Sequence, residues 1–434
     1  MGSSSLVDGV KVSTVVPGRV SGQGKVTELK GRDLAMKLHY IRALYFFENY
    51  DHNNNNNNNN DSFVSVGELK SRHMFEWLET YFMTCGRVRA PIEEGAPPVM
   101  KFNDAGIRVV EAESPNTLDH CLSEPDLDLL TSQLIPSTHV LGPDLPFSPL
   151  VFLQMTWFSC GGVAVGLSWA HLIGDAFAAS TFMNMLGKYL QGQLQPKVLS
   201  LPNSEKPVQS GSGPLQHPLS VKRVEPVGDC WMAPMNQQMS IYSFRLTEEQ
   251  VGELEVSVKG AAKGFEAISG VVWKCIAKTR KEKEPKVVTV CRPKTVDREG
   301  VVPYNGQVIT TVKAECGNVA TVDVAELAGL IAEKTEDESE MVAEKVEAEL
   351  GSSDFLVYGS NLTFIDMEEA PIYGFELKGR HPVFAAYTVG GTGDEGVVVV
   401  QPGPTHASKL VIVMLPQFEI EQFKLQINNY WPIL

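Results

Sequence analysis

Hydrophobic positions along the first half of the chain recur with two periods, about every second residue as in a strand and about every 3.6 residues as in a helix. Residues 149–171, PLVFLQMTWFSCGGVAVGLSWAH, form two strand-like apolar runs separated by a Cys-Gly-Gly turn. The residues that follow, GDAFAASTFMNMLGKYLQG at 174–192, place their apolar side chains on one face of a helix. The pattern therefore predicts a buried strand that ends at His171 and leads directly into a helix, a junction where α/β proteins often carry functional groups.

The same two periods occur along the remaining chain. Residues 10–16 alternate like a strand, residues 66–89 have helical spacing, and VMKFNDAGIRVVEAE at 99–113 predicts two strands joined by an Asn-Asp-Ala-Gly turn. The second half predicts helices at 247–260, 264–281, 324–350 and 417–430, and strands at 286–292, 361–367, 383–389, 395–402 and 409–416. The pattern therefore predicts an α/β protein with two units of similar size joined by one crossover.

Two polar segments interrupt this pattern. The asparagine run at 53–60 has no hydrophobic periodicity and predicts a solvated loop. Residues 191–218 are rich in Gln, Pro, Ser and Gly and predict an exposed linker. The sequence is thus divided into a first domain at 1–190, a linker at 191–218 and a second domain at 219–434.

Composition argues against several classes of function. The chain has 434 residues, of which 37 are basic and 52 acidic, so its formal net charge is −15. This charge argues against nucleic-acid binding and against purely electrostatic docking on anionic lipid. No apolar run approaches the ~18 residues of a membrane-spanning helix. The seven cysteines include no Cys-x-x-Cys pair, so we expect a reducing compartment and neither a disulfide framework nor a zinc site.

His171 is the strongest candidate for chemistry. It is the only one of the nine histidines with an aspartate, Asp175, four residues later. An imidazole suits general base catalysis because its unperturbed pKa of ~6.5 is close to working pH. The same two residues also fit a purely structural interpretation, in which His171 is a buried strand-end histidine and Asp175 is the N-cap of the following helix.

The spacing His171-x-x-x-Asp175 resembles the HxxxD motif of the plant BAHD acyltransferases, and the order of elements is similar over nearly the whole chain. FEAISGVVWKCIAKTR resembles that family's second-half helix, and Cys291-Arg292 followed by PYNGQV resembles its strand with an Arg and a YFGN-like turn. Four longer segments resemble the eceriferum-2/glossy-2-like branch of cuticular wax proteins, namely DLAMKLHYIRALYFF, LGPDLPFSPLVFLQMTWFSCGG, LSWAHLIGDAF and GSSDFLVYGSNLTFIDM.

The resemblance implies a two-domain chloramphenicol-acetyltransferase-like fold, with mixed sheets flanked by helices and a channel between the domains. It implies that His171 faces this channel and, if active, is the general base that lets an acceptor hydroxyl or amine attack an acyl-CoA thioester. Asp175 would turn away from the substrate and pair with Arg292, which is a structural role. Trp169 is a candidate for the channel lining, with a core position as its alternative, and no metal is implied.

Two departures from the family are visible. Ala176 follows the aspartate, where many of the enzymes have Gly. The five positions of the family's DFGWG signature are occupied here by Glu376, Leu377, Lys378, Gly379 and Arg380. The signature has a mainly structural role, so its loss is expected to alter a loop near the CoA end of the channel without removing a catalytic group.

Two charged segments allow two interpretations each. The basic run at 278–286 is either a contact for CoA phosphates or a solvated helix end. The acidic segment at 324–350 is predicted to be one long amphipathic helix, whose charged face is either ordinary exposed surface or a docking site for a partner enzyme.

Two functions from different classes follow. The first is a BAHD-like accessory protein of very-long-chain fatty acid elongation for cuticular wax, which extends acyl chain length together with a condensing enzyme, a β-ketoacyl-CoA synthase. It would be monomeric on its own and would lie in the cytoplasm and on the cytosolic face of the endoplasmic reticulum. The second is a soluble acyltransferase with acyl-CoA as substrate, without a tightly bound cofactor. The lost DFGWG signature favours the accessory protein.

Overall fold

The computed structural model describes most of the chain. The described residues are 6–21, 24–49, 64–90, 96–123, 126–136, 144–200, 217–258, 262–315, 317–333, 336–405 and 407–431. The asparagine run at 53–60 and residues 201–216 of the predicted linker lie outside these ranges. The account below concerns the described residues.

Strands and helices alternate along both halves. The strands are β1 (Asp8–Val15), β2 (Val26–Glu28), β3 (Tyr40–Phe47), β4 (Arg87–Arg89), β5 (Val99–Lys101), β6 (Ile107–Ser114), β7 (Val151–Phe158), β8 (Val163–Ala170), β9 (Lys222–Val224), β10 (Met239–Leu246), β11 (Val287–Pro293), β12 (Gln307–Lys313), β13 (Asp354–Leu356), β14 (Leu362–Asp366), β15 (Phe384–Gly390), β16 (Val397–Pro402) and β17 (Lys409–Pro416). The helices are α1 (Gly31–Ala35), α2 (Val66–Leu69), α3 (Arg72–Thr80), α4 (Leu118–Ser123), α5 (Leu127–Leu134), α6 (Ala176–Leu190), α7 (Glu248–Ser257), α8 (Gly264–Arg280), α9 (Val324–Ala332), α10 (Ser339–Ala348) and α11 (Gln417–Asn428).

Two mixed six-stranded sheets organise the molecule. The first has the order β1-β6-β7-β8-β3-β15, and its only parallel pair is β6 with β7. The second has the order β10-β17-β16-β14-β11-β12, with β11, β14 and β16 parallel to one another. Smaller sheets pair β2, β5 and β4, and β13 with β9. The α/β class with two sheet-containing units is therefore confirmed.

The second half contributes one strand to the first sheet, which the predicted division at 191–218 does not allow for. β15 belongs to the second half by sequence, yet it pairs antiparallel with β3 and completes the first sheet. Gln401 on β16 contacts the other edge of β15, because its Nε2 donates to the Ala385 carbonyl and its Oε1 accepts from the Tyr387 amide, both within 2.9 Å. A side chain of the second sheet thereby satisfies backbone groups of the first.

Two predicted elements differ from the structure. The strands at 99–113 exist, but they do not form a hairpin, since β5 pairs with β2 and β4 while β6 lies in the first sheet. The long helix predicted at 324–350 is two helices, α9 and α10. Asp337 explains why α10 begins at Ser339, because its carboxylate accepts from the Ser339 amide at 2.9 Å and from the Ile309 amide at 3.3 Å.

The junction between β8 and α6 positions the candidate site. All residues of β8 are buried, and a short 3₁₀ turn, His171–Ile173, connects the strand to Gly174. Gly174 has a φ of +151°, and a Cβ there would lie 2.9 Å from the Cβ of Ala178 and 3.1 Å from the Tyr304 amide nitrogen. Only glycine fits this position without strain, and it aims Asp175 at the first turn of α6.

Candidate active site

The His171 side chain is completely buried and both of its ring nitrogens have partners. Its Nδ1 lies 3.0 Å from Oδ1 of Asn305, and its Nε2 lies 2.9 Å from the hydroxyl oxygen of Tyr358. Its backbone amide donates to the carbonyl of His39 at 3.1 Å. Burial lowers the pKa of His171, and the nearby Asp175 carboxylate opposes that shift. The imidazole is therefore neutral at physiological pH.

The hydrogen bonds around Asn305 assign the tautomer of this imidazole. The Nδ2 of Asn305 faces two acceptors, Oδ1 of Asp33 at 3.1 Å and the carbonyl of Leu172 at 3.4 Å, so the amide oxygen must point at His171. Nδ1 therefore carries the proton and Nε2 presents its lone pair to Tyr358. The basic nitrogen of His171 thus faces a tyrosine hydroxyl of the same chain.

Gln307 contacts the same hydroxyl from the other side. The Tyr358 oxygen lies 2.7 Å from Oε1 of Gln307, so its single proton has two acceptors within reach, this amide oxygen and Nε2 of His171. Burial raises the pKa of Tyr358 well above its ordinary value. The hydroxyl therefore stays protonated and acts only as a hydrogen-bonding partner for His171.

Asp175 caps α6 and forms a buried ion pair. Its Oδ1 accepts from the Ala178 amide at 3.1 Å and lies 2.8 Å from Nη1 of Arg298, while its Oδ2 accepts from the Gly306 amide at 3.0 Å. The side chains of Asp175 and Arg298 are only 4% and 2% exposed. All of these contacts are structural, although Asp175 also lines the cavity described below.

The prediction that Asp175 pairs with Arg292 is wrong. Arg292 on β11 instead donates to Glu266 at 2.9 Å and to the Ile331 carbonyl at 3.0 Å. Arg298 follows in the loop between β11 and β12, which folds back over α6, and its guanidinium lies over the ring of Tyr304 at 4.4 Å. The signal in the sequence was a second arginine just before the PYNGQV turn, and the choice between the two depends on the path of this loop.

Trp169 is a core residue, which is the second of the two interpretations given above, and it does not line a channel. Its side chain is fully buried, its Nε1 donates to the Gly174 carbonyl at 2.8 Å, and its ring packs against Phe182 with centroids 5.0 Å apart. The physical reason is that its side chain faces α6, which covers this side of the first sheet. Trp169 therefore stabilises the turn that carries His171.

A small apolar cavity, called here the central cavity, lies between the two sheets at the carboxyl ends of β11 and β14. The volume of this cavity is about 20 Å³, which is close to the space that one water molecule needs. Its walls come mainly from apolar side chains, with a few polar ones, including Ile41, Phe177, Cys291, Ile365, Val399, Asp175, Arg292, Gln307, Tyr358 and Asp366. His171 is not among the lining residues and its side chain has no exposed surface, so the expectation that it opens onto a channel is wrong.

The rim of the central cavity carries charges that are partly exposed. The Nε of Arg292 lies 4.0 Å from Asp366, and its guanidinium also lies over the ring of Phe265 at 5.2 Å. Burial raises the pKa of Asp366 to about 6, although the hydrogen bond from the Glu368 amide and the positive charge of Arg292 oppose the rise. This carboxyl therefore takes up a proton near pH 6.

The ELKGR turn, residues 376–380, is held rigidly against the first half. Leu377 and Arg380 exchange two backbone hydrogen bonds of 3.0 Å, and Lys378 and Gly379 between them have φ values of +49° and +77°. The turn packs on α6 so closely that a Cβ at Gly187 would lie 2.5 Å from the Glu376 carbonyl. Arg380 donates to the Glu48 carbonyl just beyond β3 at 2.9 Å. The ELKGR sequence, which replaces the DFGWG signature, thus forms a turn that is held by hydrogen bonds and close packing against the first half.

The basic run at 278–286 is engaged within the protein at its start, whereas Lys281, Lys283 and Lys286 are exposed. The guanidinium of Arg280 is 5% exposed and contacts Glu395 and Glu419, each at 2.9 Å. Lys278 lies over the ring of Tyr430 at 5.4 Å. Arg280 is therefore a structural residue of the second unit and is not free to bind a phosphate.

Two further searches cover only the described ranges. There, no group of three or more His, Cys, Asp and Glu side chains is arranged to hold a metal ion. Over the same residues, no helix has both the length and the apolar character needed to cross a membrane.

Comparisons with known proteins extend over the whole chain. A profile described as Transferase family matches residues 7–429. Protein ECERIFERUM 2 from Arabidopsis thaliana is 34% identical over 436 residues, which cover 98% of this chain and 99% of that protein. Protein ECERIFERUM 26-like, also from Arabidopsis thaliana, is 36% identical over 429 residues, with coverages of 98% and 96%. The crystal structure of vinorine synthase has a similar fold, with a TM-score of 0.69, 16% identity and 98% of each chain covered.

Proposed function

This chain belongs to the Transferase (BAHD) family, in its ECERIFERUM-like branch, and from that premise we propose that it is an accessory protein of very-long-chain fatty acid elongation for cuticular wax. It acts with a condensing enzyme, a β-ketoacyl-CoA synthase, and extends the acyl chain length that this enzyme reaches. Its place is the cytosolic face of the endoplasmic reticulum, where it associates peripherally.

The enclosure of His171 carries this proposal. A general base must reach the proton that it removes, within about 3 Å or through one water molecule. Here Nε2 is 2.9 Å from the Tyr358 hydroxyl, and the imidazole has no exposed surface. The position that an acceptor alcohol or amine would need is filled by a side chain of the protein. This supports a role in which no proton is removed.

The changed signature supports the same role. The ELKGR turn contacts the end of β3 and α6 and so holds a fixed surface between the two halves. A fixed outer surface suits a protein whose effect depends on contact with a partner enzyme, and a catalytic chain would more readily retain the DFGWG sequence. Acyl-CoA is then the substrate of the partner, and this chain alters what the partner does with it.

Co-expression in yeast with a condensing enzyme tests the proposal, with acyl chain length measured by gas chromatography. The informative variant is His171→Gln, because an amide keeps hydrogen-bonding groups near Asn305 and Tyr358 but has no basic nitrogen. We expect this variant to retain the shift in chain length. The matched control is His120→Gln, which changes an exposed histidine on α4, and thermal unfolding of both purified variants checks that they fold.

The acyltransferase alternative makes the opposite prediction. A positioned general base contributes about 10²–10⁴-fold to a rate, so His171→Gln would abolish activity. Purified wild-type protein is therefore incubated with long-chain acyl-CoA and a panel of alcohols and amines, and thiol release is followed. We expect no release above the rate without protein. Release that depends on His171, or loss of chain extension in a folded His171→Gln variant, would restore the enzyme hypothesis.

A further inference from the structure

One edge of the molecule, called here the valine edge, is formed by residues 8–21 and 24–28. Among the described residues, β1 pairs only with β6 and β2 only with β5, so both strands lie at the ends of their sheets. Fourteen large hydrophobic side chains are exposed in the described part of the chain, and five of them lie on this edge. They are between 43% and 79% exposed and are all valines, namely Val10, Val12, Val16, Val20 and Val26. Exposed apolar side chains at this density indicate a contact surface.

The valine edge is one continuous track that is fixed to the folded chain. Near its two ends, Val12 pairs with Val110 on β6 and Val26 pairs with Lys101 on β5. Between these pairs, hydrogen bonds of 2.9–3.0 Å join the track to residues 102–104. The track therefore runs antiparallel beside the segment that connects β5 to β6, and its exposed valines follow one another along a single side of the protein.

The valine edge is basic although the chain is acidic. Residues 9–27 include no Asp or Glu and three exposed basic side chains, those of Lys11, Arg19 and Lys25. The facing residues 99–110 carry two basic side chains and one acidic side chain. The chain as a whole has a formal net charge of −15, so this edge differs from the average of the protein in the sign of its charge as well as in its exposed valines.

The backbone of the valine edge is poorly suited to pair with another strand. The register of β1 shifts between Asp8 and Lys11, and Gly9 within this shift has a φ of +63°, as in a β-bulge. Pro17, between β1 and β2, has no amide hydrogen to donate. Bulges, edge lysines and prolines are features that block strand addition. The exposed valines therefore fit a partner that contacts side chains and needs no regular backbone ladder.

We propose that the valine edge is the surface by which this chain lies on a bilayer that contains anionic phospholipid. The valine side chains enter the boundary between headgroups and acyl chains, and the basic side chains between them bind lipid phosphates. Both contributions are needed, because the net charge of −15 opposes attraction by charge alone. The inference rests on the proposed function in one respect, since both place the chain at a membrane surface.

Flotation of the purified full-length chain with lipid vesicles tests the proposal. The vesicles consist of phosphatidylcholine alone or of phosphatidylcholine with about 30% phosphatidylserine. We expect binding to the anionic vesicles to be at least about tenfold stronger than binding to the neutral ones. We also expect it to weaken when NaCl is raised from about 0.1 M to about 0.5 M, because salt screens the charges. A chain that binds neither kind of vesicle would overturn the proposal.

Replacement of valine by threonine isolates the apolar contribution, because threonine keeps the β-branched shape and adds a hydroxyl. In Val12→Thr/Val20→Thr/Val26→Thr we expect binding to anionic vesicles to fall by about fivefold or more. The matched control changes three exposed valines elsewhere, in Val198→Thr/Val256→Thr/Val296→Thr. We expect the control to bind like wild type, and thermal unfolding checks that both variants fold. Unchanged binding of the first variant, or an equal loss in both, would contradict the proposal.

A second pair of variants isolates the charges. Lys11→Gln/Arg19→Gln/Lys25→Gln should lose about tenfold or more in affinity for anionic vesicles. The matched control removes the same number of positive charges from the other exposed basic segment, in Lys281→Gln/Lys283→Gln/Lys286→Gln. Because both variants have the same net charge, a difference between them reports the position of the charges. Equal losses would show that no particular surface is used.

Hydrogen exchange of the unmodified chain locates the surface without any variant. With anionic vesicles, we expect peptides of the valine edge to exchange at least about threefold more slowly. Peptides of α11, which also exposes two apolar side chains, those of Phe418 and Leu425, should be unaffected. Protection of α11 in place of the valine edge would overturn the proposal.

Sedimentation velocity without lipid tests whether a second copy of the chain covers the valine edge. We expect a monomer, and a dimer that the three-valine variant dissociates would overturn the proposal. All of these assays use the purified chain without a condensing enzyme. A negative vesicle result therefore leaves the chain-length result of the proposed function intact, and failure of chain extension leaves the vesicle result intact.

Discussion

Arg292 and Arg298 lie near the central cavity and have different surroundings, since Arg292 lines the cavity and Arg298 binds Asp175, which lines it. Arg298 and its partner Asp175 are 2% and 4% exposed, and the carboxylate is further bound by two backbone amides. Arg292 and its partner Glu266 are 27% and 20% exposed. The first pair closes the side next to His171, and the second lies at the rim next to Asp366.

The two pairs therefore differ in how much energy it costs to remove one partner. A buried pair is costly to break, since the remaining charge is stranded without water, whereas a partly exposed charge is screened and rehydrated when its partner leaves. We therefore expect changes on the Asp175 side to act on stability, and changes at the rim to act mainly on protonation.

Asp175→Ala is expected to have the largest effect. It strands the Arg298 guanidinium and removes the cap of α6, so the free energy of unfolding should fall by about 3–5 kcal/mol. Urea unfolding followed by circular dichroism measures this loss. Glu266→Ala is the matched control at the rim, and equal losses for both variants would remove the distinction between the two sides.

We expect Asp366 at the rim to make the stability of the protein depend on pH. The pKa of Asp366 is about 6 in the folded chain, above its ordinary value of 3.8, so between these values the folded state holds a proton that the unfolded state has lost. The free energy of unfolding should therefore decrease as pH rises from about 4 to 6, by up to about 2–3 kcal/mol.

Asp366→Asn isolates this contribution, because an amide does not titrate. Urea unfolding of wild type and variant at several pH values gives the difference between their free energies of unfolding. That difference should change between pH 4 and 6 and be level above about pH 7. A difference that stays constant from pH 4 to 7 would show that Asp366 has an ordinary pKa.

Tyr358→Phe tests the buried hydrogen bonds next to Asp175 and His171. It leaves Nε2 of His171 and Oε1 of Gln307 without their shared donor, so we expect a loss of about 1–2 kcal/mol in the free energy of unfolding. Tyr304→Phe is the matched control, since among the described residues the Tyr304 hydroxyl forms one side-chain hydrogen bond, to Thr295 at 3.1 Å in an exposed position. A larger loss for the control would contradict the assignment of buried hydrogen bonds to Tyr358.

Arg292→Ala is expected to have the smallest effect on stability, about 1 kcal/mol or less, because its pair is partly exposed. The same change removes a positive charge that lowers the pKa of Asp366, so the pH window of that carboxyl should move upward. Thermal unfolding across pH 4–8 measures both. A loss of stability as large as that of Asp175→Ala would contradict the expectation that the Arg292 pair contributes little to stability.

The parts that the sequence predicts well are those determined by local periodicity. The two runs around the Cys-Gly-Gly turn became β7 and β8, and the one-faced apolar pattern became α6 with Asp175 as its cap. The position of His171 at the end of a buried strand follows from this pattern alone. The family resemblance added the two-sheet architecture, which local periodicity does not determine.

The parts that the sequence does not predict depend on long-range contacts. Tyr358 is 187 residues from His171, and Asn305 is 134 residues away, so no local pattern links them to the histidine. β5 and β6 have the turn sequence of a hairpin, yet their pairing partners come from elsewhere in the chain. The choice between Arg292 and Arg298 was of the same kind, because it depends on how the loop after β11 folds back.

The insertion of β15 beside β3 has a consequence for how the chain is made. β8 pairs with one edge of Tyr40–Phe47, and Phe384–Gly390 pairs with the other edge. A ribosome adds about 5–20 residues per second. The strand edge of β3 therefore waits roughly 20–70 s for its neighbour. An unpaired strand edge is a template for strands of other nascent chains. The rate at which the second half is synthesised therefore determines how long the nascent chain is prone to aggregate.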